Sequence, residues 1–247
     1  MTYERFAYVY DELMKDAPYE KWLMILTAKL EQYGIGGREV LDLACGTGEI
    51  TVELAQHGFD VSGVDLSDEM LMVANEKAAK LGLSIPFFQQ NMAELEGLGL
   101  YDCVTIFCDS LNYLREEADI AKTFSRVHEH LKDGGLFLFD VHTIYKMEEI
   151  FHNNTFAVND EEVSYIWDCF PGKEAYSVEH DLSFFVRDND SGLYDRFDEL
   201  HYQRTYPVEQ YKKWLQQAGF EVSELLADLE EAPVGKETER ILFVARK

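Results

Sequence analysis

The residues best suited to chemistry in this chain follow two predicted strands. The segment LDLACGTGEI, residues 41–50, passes from an apolar run into a turn of small residues, and Glu49 then begins a helix. The next predicted strand, residues 59–64, leads into Asp65. Small residues let a ligand lie against the backbone, and a carboxylate at the next strand end can take two ribose hydroxyls. This pairing predicts a site for an adenosine-containing cofactor at the carboxyl edge of a sheet.

The turn differs from a dinucleotide-binding turn in a way that selects the cofactor. A dinucleotide fold needs G-x-G-x-x-G, and Thr51 stands where the third glycine should be. Asp42, just ahead of the turn, would repel a pyrophosphate but attract a cation or an ammonium group. The favoured ligand therefore has ribose hydroxyls, no phosphate and a positively charged tail. S-adenosylmethionine meets all three conditions.

Five consecutive segments resemble the class I S-adenosylmethionine-dependent methyltransferases in order and in spacing. They are LDLACGTG, GVDLSDEML, QQNMAEL, YDCVTIFCDSLNYL and LKDGGLFLFDV, and they cover residues 40–141. Ala44 replaces the first glycine of the family's D-x-G-x-G-x-G pattern, a replacement common in the family. The resemblance implies an enzyme of the small-molecule subgroup that transfers a methyl group by in-line displacement. Two alternatives stay open: a cofactor-binding sensor or assembly partner without transfer activity, and an RNA or protein methyltransferase.

The resemblance also implies which residues hold the cofactor. Ala44, Gly46 and Gly48 are expected to approach the methionine moiety with bare backbone, while Asp42 acts on its amino group through charge or a water. Asp65 is expected to take both ribose hydroxyls, although it could instead cap the helix that follows. The other expected contacts are Leu66 and Met70 on the adenine, Asn91 beside its amino group, Met92 as a backbone donor, Cys108, Asp109 and Asn112 at the methionine end, and Tyr10 closing over the cofactor. The alternatives are a turn residue for Asn91, a loop and helix cap for Asp109 and Asn112, and a core residue for Tyr10.

The acceptor side rests on histidines and aromatic residues. An oxygen or ammonium acceptor needs a base, for which His142, just past the predicted fifth strand, is the first candidate and His201 the second. A lone histidine is commonly structural, so whether a base is used stays open. The segment FDELHYQRTYPVEQYKKWLQQAGF resembles the corresponding part of small-molecule methyltransferases. The expected acceptor contacts are Tyr113, Trp167, Tyr202, Arg204 and Tyr206. Aromatic rings with one arginine suit a small organic acceptor, but the rings could simply pack the surrounding strands onto the sheet.

The elements that must position these residues alternate between strand and helix from residue 40 onward. This alternation predicts an α/β fold with a doubly wound parallel sheet. The resemblance implies that the sheet is seven-stranded, mostly parallel and of the Rossmann-like methyltransferase type, closed by an antiparallel hairpin. Residues 155–206 lack a helical period and predict an antiparallel insert of three strands, at about 155–170, 176–187 and 193–205. We therefore expect a single domain, 1–247, with an N-terminal helical lid segment at 1–36 and the insert at 155–206 over the acceptor site.

Composition limits the partners of the chain. Its 247 residues, 47% of them hydrophobic, suffice for one well-buried domain. A formal net charge of −25 argues against nucleic acid and anionic membranes as partners, because both attract cationic surfaces. The four cysteines show no metal-ligand spacing, so no metal is expected. No signal peptide or membrane-spanning run is recognisable, which favours the cytoplasm. The identity of the acceptor, and the choice between monomer and homodimer, stay open.

Overall fold

The computed structural model describes residues 7, 9–11, 13–188 and 191–247. Residues 1–6, 8 and 12 of the predicted lid segment lie outside this described part. The remainder of that segment contains residues in helical conformation around residue 10, followed by helix α1 at Tyr19–Gln32. Pro18 immediately precedes α1, at a position where its missing N–H has no helical partner to lose.

Seven strands form the central sheet. In spatial order they are β10 (Glu221–Ala227), β11 (Arg240–Arg246), β5 (Leu131–His142), β4 (Tyr101–Ile106), β1 (Glu39–Leu43), β2 (Asp60–Asp65) and β3 (Phe87–Gln89). β11 runs antiparallel to both of its neighbours, and the other pairings are parallel. The predicted seven-stranded, mostly parallel sheet with a closing hairpin is thereby confirmed. Its strand order changes direction beside β1, so the carboxyl ends of β1, β2 and β4 meet there, where open α/β sheets bind ligands.

Helices cover both faces of this sheet. The remaining long helices are α2 (Glu49–Gln56), α3 (Asp68–Lys80), α4 (Glu117–His130) and α5 (Val208–Ala218). Successive strand residues alternate between two cores: Val40 packs with α1 and α2, whereas Leu41 and Leu43 pack with α4 and α5. Since side chains along a strand point alternately to opposite faces, a near-continuous apolar strand is the pattern that two covered faces require.

The insert is a separate antiparallel sheet of four strands, which corrects the three-stranded prediction. Its strands are β6 (Thr155–Val158), β7 (Val163–Pro171), β8 (Ser177–Arg187) and β9 (Tyr194–Arg204), in that spatial order. The first predicted strand divides at the polar run of residues 159–162. There the Asp160 carboxylate accepts the backbone N–H of Glu162 at 3.0 Å, and Ser164 Oγ donates to the Asp160 carbonyl at 2.8 Å. Such local side-chain bonds form a turn in place of a continued strand.

One face of the insert sheet is largely buried. We call it the insert face: the inward-pointing side chains of β7, β8 and β9. They are Tyr165, Trp167, Cys169, Val178, His180, Leu182, Phe184, Phe197, Glu199, His201 and Gln203. Most of these side chains are buried or half-buried, while neighbours such as Asp181 and Leu200 are exposed. Within the described residues, none of the helices combines the length and the hydropathy needed to cross a lipid bilayer.

Candidate active site

The turn between β1 and α2 exposes bare backbone. Ala44, Gly46 and Gly48 all have left-handed conformations, with φ of 56°, 55° and 75°. A Cβ at Gly46 would meet no atom within 4 Å, whereas one at Gly48 would lie 2.9 Å from the Ala74 Cβ. Gly48 is therefore needed for the close approach of α3, and Gly46 borders open space. This is the arrangement expected where a ligand lies against the chain.

Asp65 at the end of β2 is held by backbone donors from two elements. Its Oδ2 accepts the Gly46 N–H at 2.8 Å and its Oδ1 accepts the Ser67 N–H at 2.9 Å. The cap of α3 is supplied by Ser67, whose Oγ accepts the Met70 N–H at 3.2 Å. Each carboxylate oxygen has a second lone pair, so this orientation is compatible with two hydroxyl donors. Burial raises the pKa of Asp65, while the backbone bonds oppose that shift.

Asp42 lies beneath the turn and is 3% exposed. Its two carboxylate oxygens accept the hydroxyls of Thr51 at 2.6 Å and Thr105 at 2.9 Å. Burial raises the pKa of Asp42 to about 6, although both hydroxyls lower it. Thr51, at the third-glycine position, is one of the groups that hold this carboxylate. Its action on the amino group of the cofactor, through charge or a water, stays a prediction.

The predicted adenine contacts surround the end of β2. Leu66 is 67% exposed, a large fraction for leucine, and Met70 is half-buried. Asn91 follows β3, and its Oδ1 accepts the Ala93 N–H at 3.0 Å, which caps the short helix Met92–Glu94. This bond places Asn91 in a turn, which is the alternative to the predicted adenine contact. No hydrogen bond of its amide nitrogen is found among the described residues. An apolar surface at Leu66 beside a polar edge suits an adenine ring.

An ionic cluster lies behind the loop that follows β4. Arg240 of β11 donates to Asp109 Oδ1 at 2.7 Å and also to Asp140 Oδ2, and it stacks over the Trp22 ring. Trp22 Nε1 donates to Asp140 Oδ1 at 2.9 Å. Burial opposes ionisation of Asp109, but the charges and hydrogen bonds of His142 and Arg240 hold its pKa below the usual range. Asp109 makes no side-chain cap, so its alternative role as a helix cap does not hold.

A hydrogen-bonded chain joins this cluster to the insert face. Gln203 Nε2 donates to Asp109 Oδ2 at 2.7 Å, and Gln203 Oε1 lies 3.2 Å from His180 Nε2. Trp167 Nε1 in turn donates to His180 Nδ1 at 3.0 Å. The Trp167 bond requires an acceptor at Nδ1, so His180 carries its proton on Nε2. Burial lowers the pKa of His180 to about 4, which keeps this ring neutral.

His142 is the last residue of β5 rather than a residue past it. Register pairing with Arg240 of β11 extends the strand by this one residue. His142 Nε2 lies 3.3 Å from Asp109 Oδ2, and the buried Nδ1 has no hydrogen-bond partner among the described residues. A neutral His142 that donates from Nε2 to Asp109 has its lone pair on Nδ1. This is the geometry of a base oriented by a carboxylate.

The remaining predicted residues lie in three places. Cys108, with φ of 54°, precedes Asp109 in the loop after β4. Asn112 is fully buried and ties that loop to its neighbours, since its Nδ2 donates to the Arg204 carbonyl at 2.8 Å and its Oδ1 accepts the His142 N–H at 2.9 Å. Tyr113 is 48% exposed and packs edge-on against His201, with ring centroids 5.9 Å apart.

The other predicted acceptor contacts lie on the insert sheet and just before α5. Trp167 packs with Phe151 and Phe156 in a small core beneath the insert. Tyr202 and Arg204 alternate with the insert face, so they lie on the opposite side of β9. Tyr202 donates to Glu174 at 2.7 Å, and Arg204 stacks on Tyr206 at 4.6 Å. Tyr206 itself is buried against Tyr211 and Trp214. Trp167 and Tyr206 are packed as the alternative interpretation expects, and the acceptor role of these four residues stays a prediction.

The N-terminal segment covers the cofactor side. Val9, Tyr10 and Leu13 pack with Met70 of α3 against Phe184 and Phe197 of the insert face. Asp11 accepts the Thr47 hydroxyl at 2.5 Å and pairs with Lys77 at 2.8 Å, which ties the segment to the glycine turn and to α3. Burial raises the pKa of Tyr10 well above its usual value. The described part of this segment thus contacts both the glycine turn and the insert, and its role as a lid stays a prediction.

Several residues of this site carry no motif. Asp140 interrupts the apolar run LFLFDV and was the one visible signal of the ionic cluster. Arg240, Gln203 and His180 come together only through pairing between distant strands. Glu199 stands among the alternating residues of β9, and its carboxyl Oε1 is buried without a partner among the described residues. Within the described part of the chain, no cluster of His, Cys, Asp or Glu could hold a metal ion.

Comparison with known proteins places this geometry in context. A model described as "Methyltransferase domain" matches residues 40–135. The protein named "Putative methyltransferase GWCH70_2453" from Geobacillus sp. (strain WCH70) is 56% identical over 248 residues, covering 100% of both chains. A crystal structure of an S-adenosylmethionine-dependent methyltransferase from Clostridium acetobutylicum is 35% identical with a TM-score of 0.90, covering 100% of this chain and 99% of that one. The sugar N-methyltransferase KedS8 from Streptoalloteichus sp. is 22% identical with a TM-score of 0.77, covering 97% and 93%.

Proposed function

This chain belongs to the class I S-adenosylmethionine-dependent methyltransferases, and we propose that its acceptor is a small molecule bound between the β4 loop and the insert face. The observation that carries this proposal is that the N-terminal segment covers the glycine turn. The N-terminal segment packs between α3 and the insert at Met70, Phe184 and Phe197. A polymeric acceptor would have to displace the N-terminal segment, whereas a small molecule can be enclosed beneath it.

The charge of the chain supports the same acceptor class. A net charge of −25 opposes the approach of RNA, whose binding depends on neutralised phosphates. At 22% identity, the likeness to KedS8 carries the fold alone.

The cofactor fits the donor set at the end of β1 and β2. Gly46 leaves open space beside bare backbone, and Asp65 is oriented by two backbone N–H groups with lone pairs to spare. Leu66 offers an exposed apolar surface to the adenine. Asp42 contributes negative charge below the turn, where the hydroxyls of Thr51 and Thr105 orient it. S-adenosylmethionine supplies a methyl group on a sulfonium, already activated for displacement, so the chain's main task is to orient the acceptor and exclude water.

Orientation can account for much of the rate. Well-oriented reactants gain roughly 7–11 kcal/mol over free encounter. Asp109 is locked by Arg240 and Gln203, and it in turn orients His142, whose Nδ1 has no partner within the described residues. In this proposal His142 takes a proton from an acceptor that needs a base, and Asp109 stabilises the resulting imidazolium.

Thermal unfolding with and without cofactor tests the cofactor side. S-adenosylmethionine or its demethylated product at 100 times its Kd should add about 2.7 kcal/mol, a rise of roughly 5–10 °C in Tm. Asp65→Asn should abolish that rise, because it removes the charge and one acceptor from the ribose site. Asp60→Asn, at the exposed opposite end of β2, is the matched control and should keep the full rise. An unchanged rise in Asp65→Asn would refute the ribose assignment.

A fractionation experiment tests the acceptor class. Cofactor with a labelled methyl group is incubated with a cell extract that has been separated into a small-molecule filtrate, total RNA and total protein. The proposal expects protein-dependent label in the filtrate. Label confined to RNA or protein would replace it with the corresponding polymer methyltransferase, and cofactor binding without label in any fraction would favour a sensor or assembly partner.

A further inference from the structure

Glu199 is a buried acid without a counter-charge among the described residues. It lies on the insert face, 5% exposed, and its Oε1 has no hydrogen-bond partner among the described residues. Burial raises the pKa of Glu199, and no neighbouring charge contributes to that shift. Removing a carboxylate from water without a partner is costly, and buried polar groups are nearly always hydrogen-bonded. An exception of this kind calls for a partner that the described residues do not provide.

The position of Glu199 along β9 places it at the proposed acceptor site. Its neighbours on the same face, Phe197 and His201, each lie about 7 Å away along the strand. Phe197 packs with the N-terminal segment and Met70, while His201 packs against Tyr113 of the β4 loop. Glu199 therefore lies between the N-terminal segment, which covers the cofactor side, and the β4 loop, where the acceptor is proposed to bind. Leu182 pairs with it on β8 and offers no polar group.

The charged residues nearby do not neutralise Glu199. Arg196 pairs with Asp198 at 2.8 Å on the opposite side of β9. Arg204 is also on that side, where it bonds the Ala175 carbonyl at 3.3 Å. The imidazoles on the insert face are His180 and His201, and burial lowers the pKa of both, which opposes a positive charge on either ring.

We propose that Glu199 anchors the acceptor by binding a protonated amine, so that the substrates of this enzyme are amine-bearing small molecules. An ammonium group supplies both the missing positive charge and the N–H donors, and charge-assisted hydrogen bonds are about twice as strong as neutral ones. The excess of acidic residues also favours entry of a cation over that of an anion. This inference rests on the proposed function, since it assigns the acceptor of the same site. It adds an amine-binding residue to a site whose sequence-based candidates were aromatic rings and an arginine.

The test compares Glu199→Gln with Asp181→Asn, a matched loss of one carboxylate from the exposed side of β8. With the demethylated cofactor present, thermal shifts are titrated with amines and with their hydroxyl counterparts: glucosamine and glucose, ethanolamine and ethylene glycol, putrescine and butanediol. The proposal expects the unaltered protein and Asp181→Asn to respond to at least one amine and not to its counterpart. Glu199→Gln should weaken that response at least tenfold. Without ligand, Glu199→Gln should have an equal or higher Tm, because it removes an unpaired buried charge.

The outcomes separate the two proposals. If the cofactor shift is absent in the unaltered protein, the proposed function fails before the acceptor is considered. If the cofactor shift is present, three results overturn the role of Glu199: no response to any amine, an equal response to the hydroxyl counterparts, or an amine response that survives Glu199→Gln. A lower Tm of Glu199→Gln without ligand would also overturn it, because that result assigns the carboxylate to the fold.

Discussion

The buried carboxylates of the cofactor side and of the insert face differ in their hydrogen bonding. Asp42 and Asp65 have both oxygens bonded by groups of the chain itself, hydroxyls in one case and backbone N–H groups in the other. Glu199 on the insert face has an oxygen with no partner among the described residues. A site whose polar atoms are satisfied is preorganised for one constant ligand. A site with an unsatisfied buried atom gains its missing bond when a ligand arrives.

Between the two sides lies the ionic cluster of Arg240, Asp109 and Asp140. It is connected to α1 through Trp22 and to the insert face through Gln203. The cluster therefore contacts both sides, and a substitution in it can show whether they are energetically coupled. We expect such a substitution to cause the largest loss of stability.

Arg240→Gln should destabilise the protein by about 3–5 kcal/mol, because it leaves two buried carboxylates without their cation. Chemical denaturation measures this loss, and Arg246→Gln, at the exposed end of the same strand, should change stability by less than about 0.5 kcal/mol. If Arg240→Gln keeps the cofactor affinity within a few-fold while it loses transfer, the two sides are separable. Loss of both at low temperature, in protein that is still folded, would show a single unit.

Substitutions of the two glycines of the turn should have different effects on stability and on cofactor binding. Gly48→Ala should cost about 2–4 kcal/mol in stability, from the left-handed backbone and the contact with Ala74. Gly46→Ala should cost only about 1–2 kcal/mol, because its Cβ enters open space, but it should weaken cofactor binding at least tenfold. Denaturation and cofactor titration of both variants measure this. A reversed ranking would contradict the assignment of the open space to the ligand.

The stability of the cofactor side should also depend on pH. Asp42 has a folded pKa of about 6, above its unfolded value of 3.8, so its ionisation destabilises the folded state. The penalty is absent below about pH 4, is complete above about pH 6, and amounts to about 3 kcal/mol. The stability of Asp42→Asn relative to the unaltered protein should therefore rise through this window. A constant difference between the two proteins would show that Thr51 and Thr105 compensate the ionised form fully.

Local patterns sufficed for much of the architecture. The small-residue turn, Asp65 at a strand end and the alternation of strands and helices each depend on neighbours within a few residues, so they are readable along the chain. The same local patterns predict three strands in the insert, because they do not separate the polar run 159–162 from the strand around it. Its turn depends on a side-chain bond from Asp160 to Glu162 that periodicity does not reveal.

The acceptor side was harder to predict for a different reason. Tyr202 and Arg204 looked suitable by residue type, but strand register turns them away from the insert face and turns Glu199 and Gln203 toward it. A shift of one residue in register exchanges the two sets. Arg240 is 131 residues from Asp109, and their contact exists only because β11 pairs beside β5 and β5 beside β4.

The sequence by itself determined the cofactor turn, the acid that follows the second strand, and the class of sheet that presents them, because each follows from local steric freedom and hydrophobic period. Only the tertiary structure decided which buried charges meet and which one is left without a partner. Those outcomes depend on strand order and register, which bring together residues that no local pattern connects.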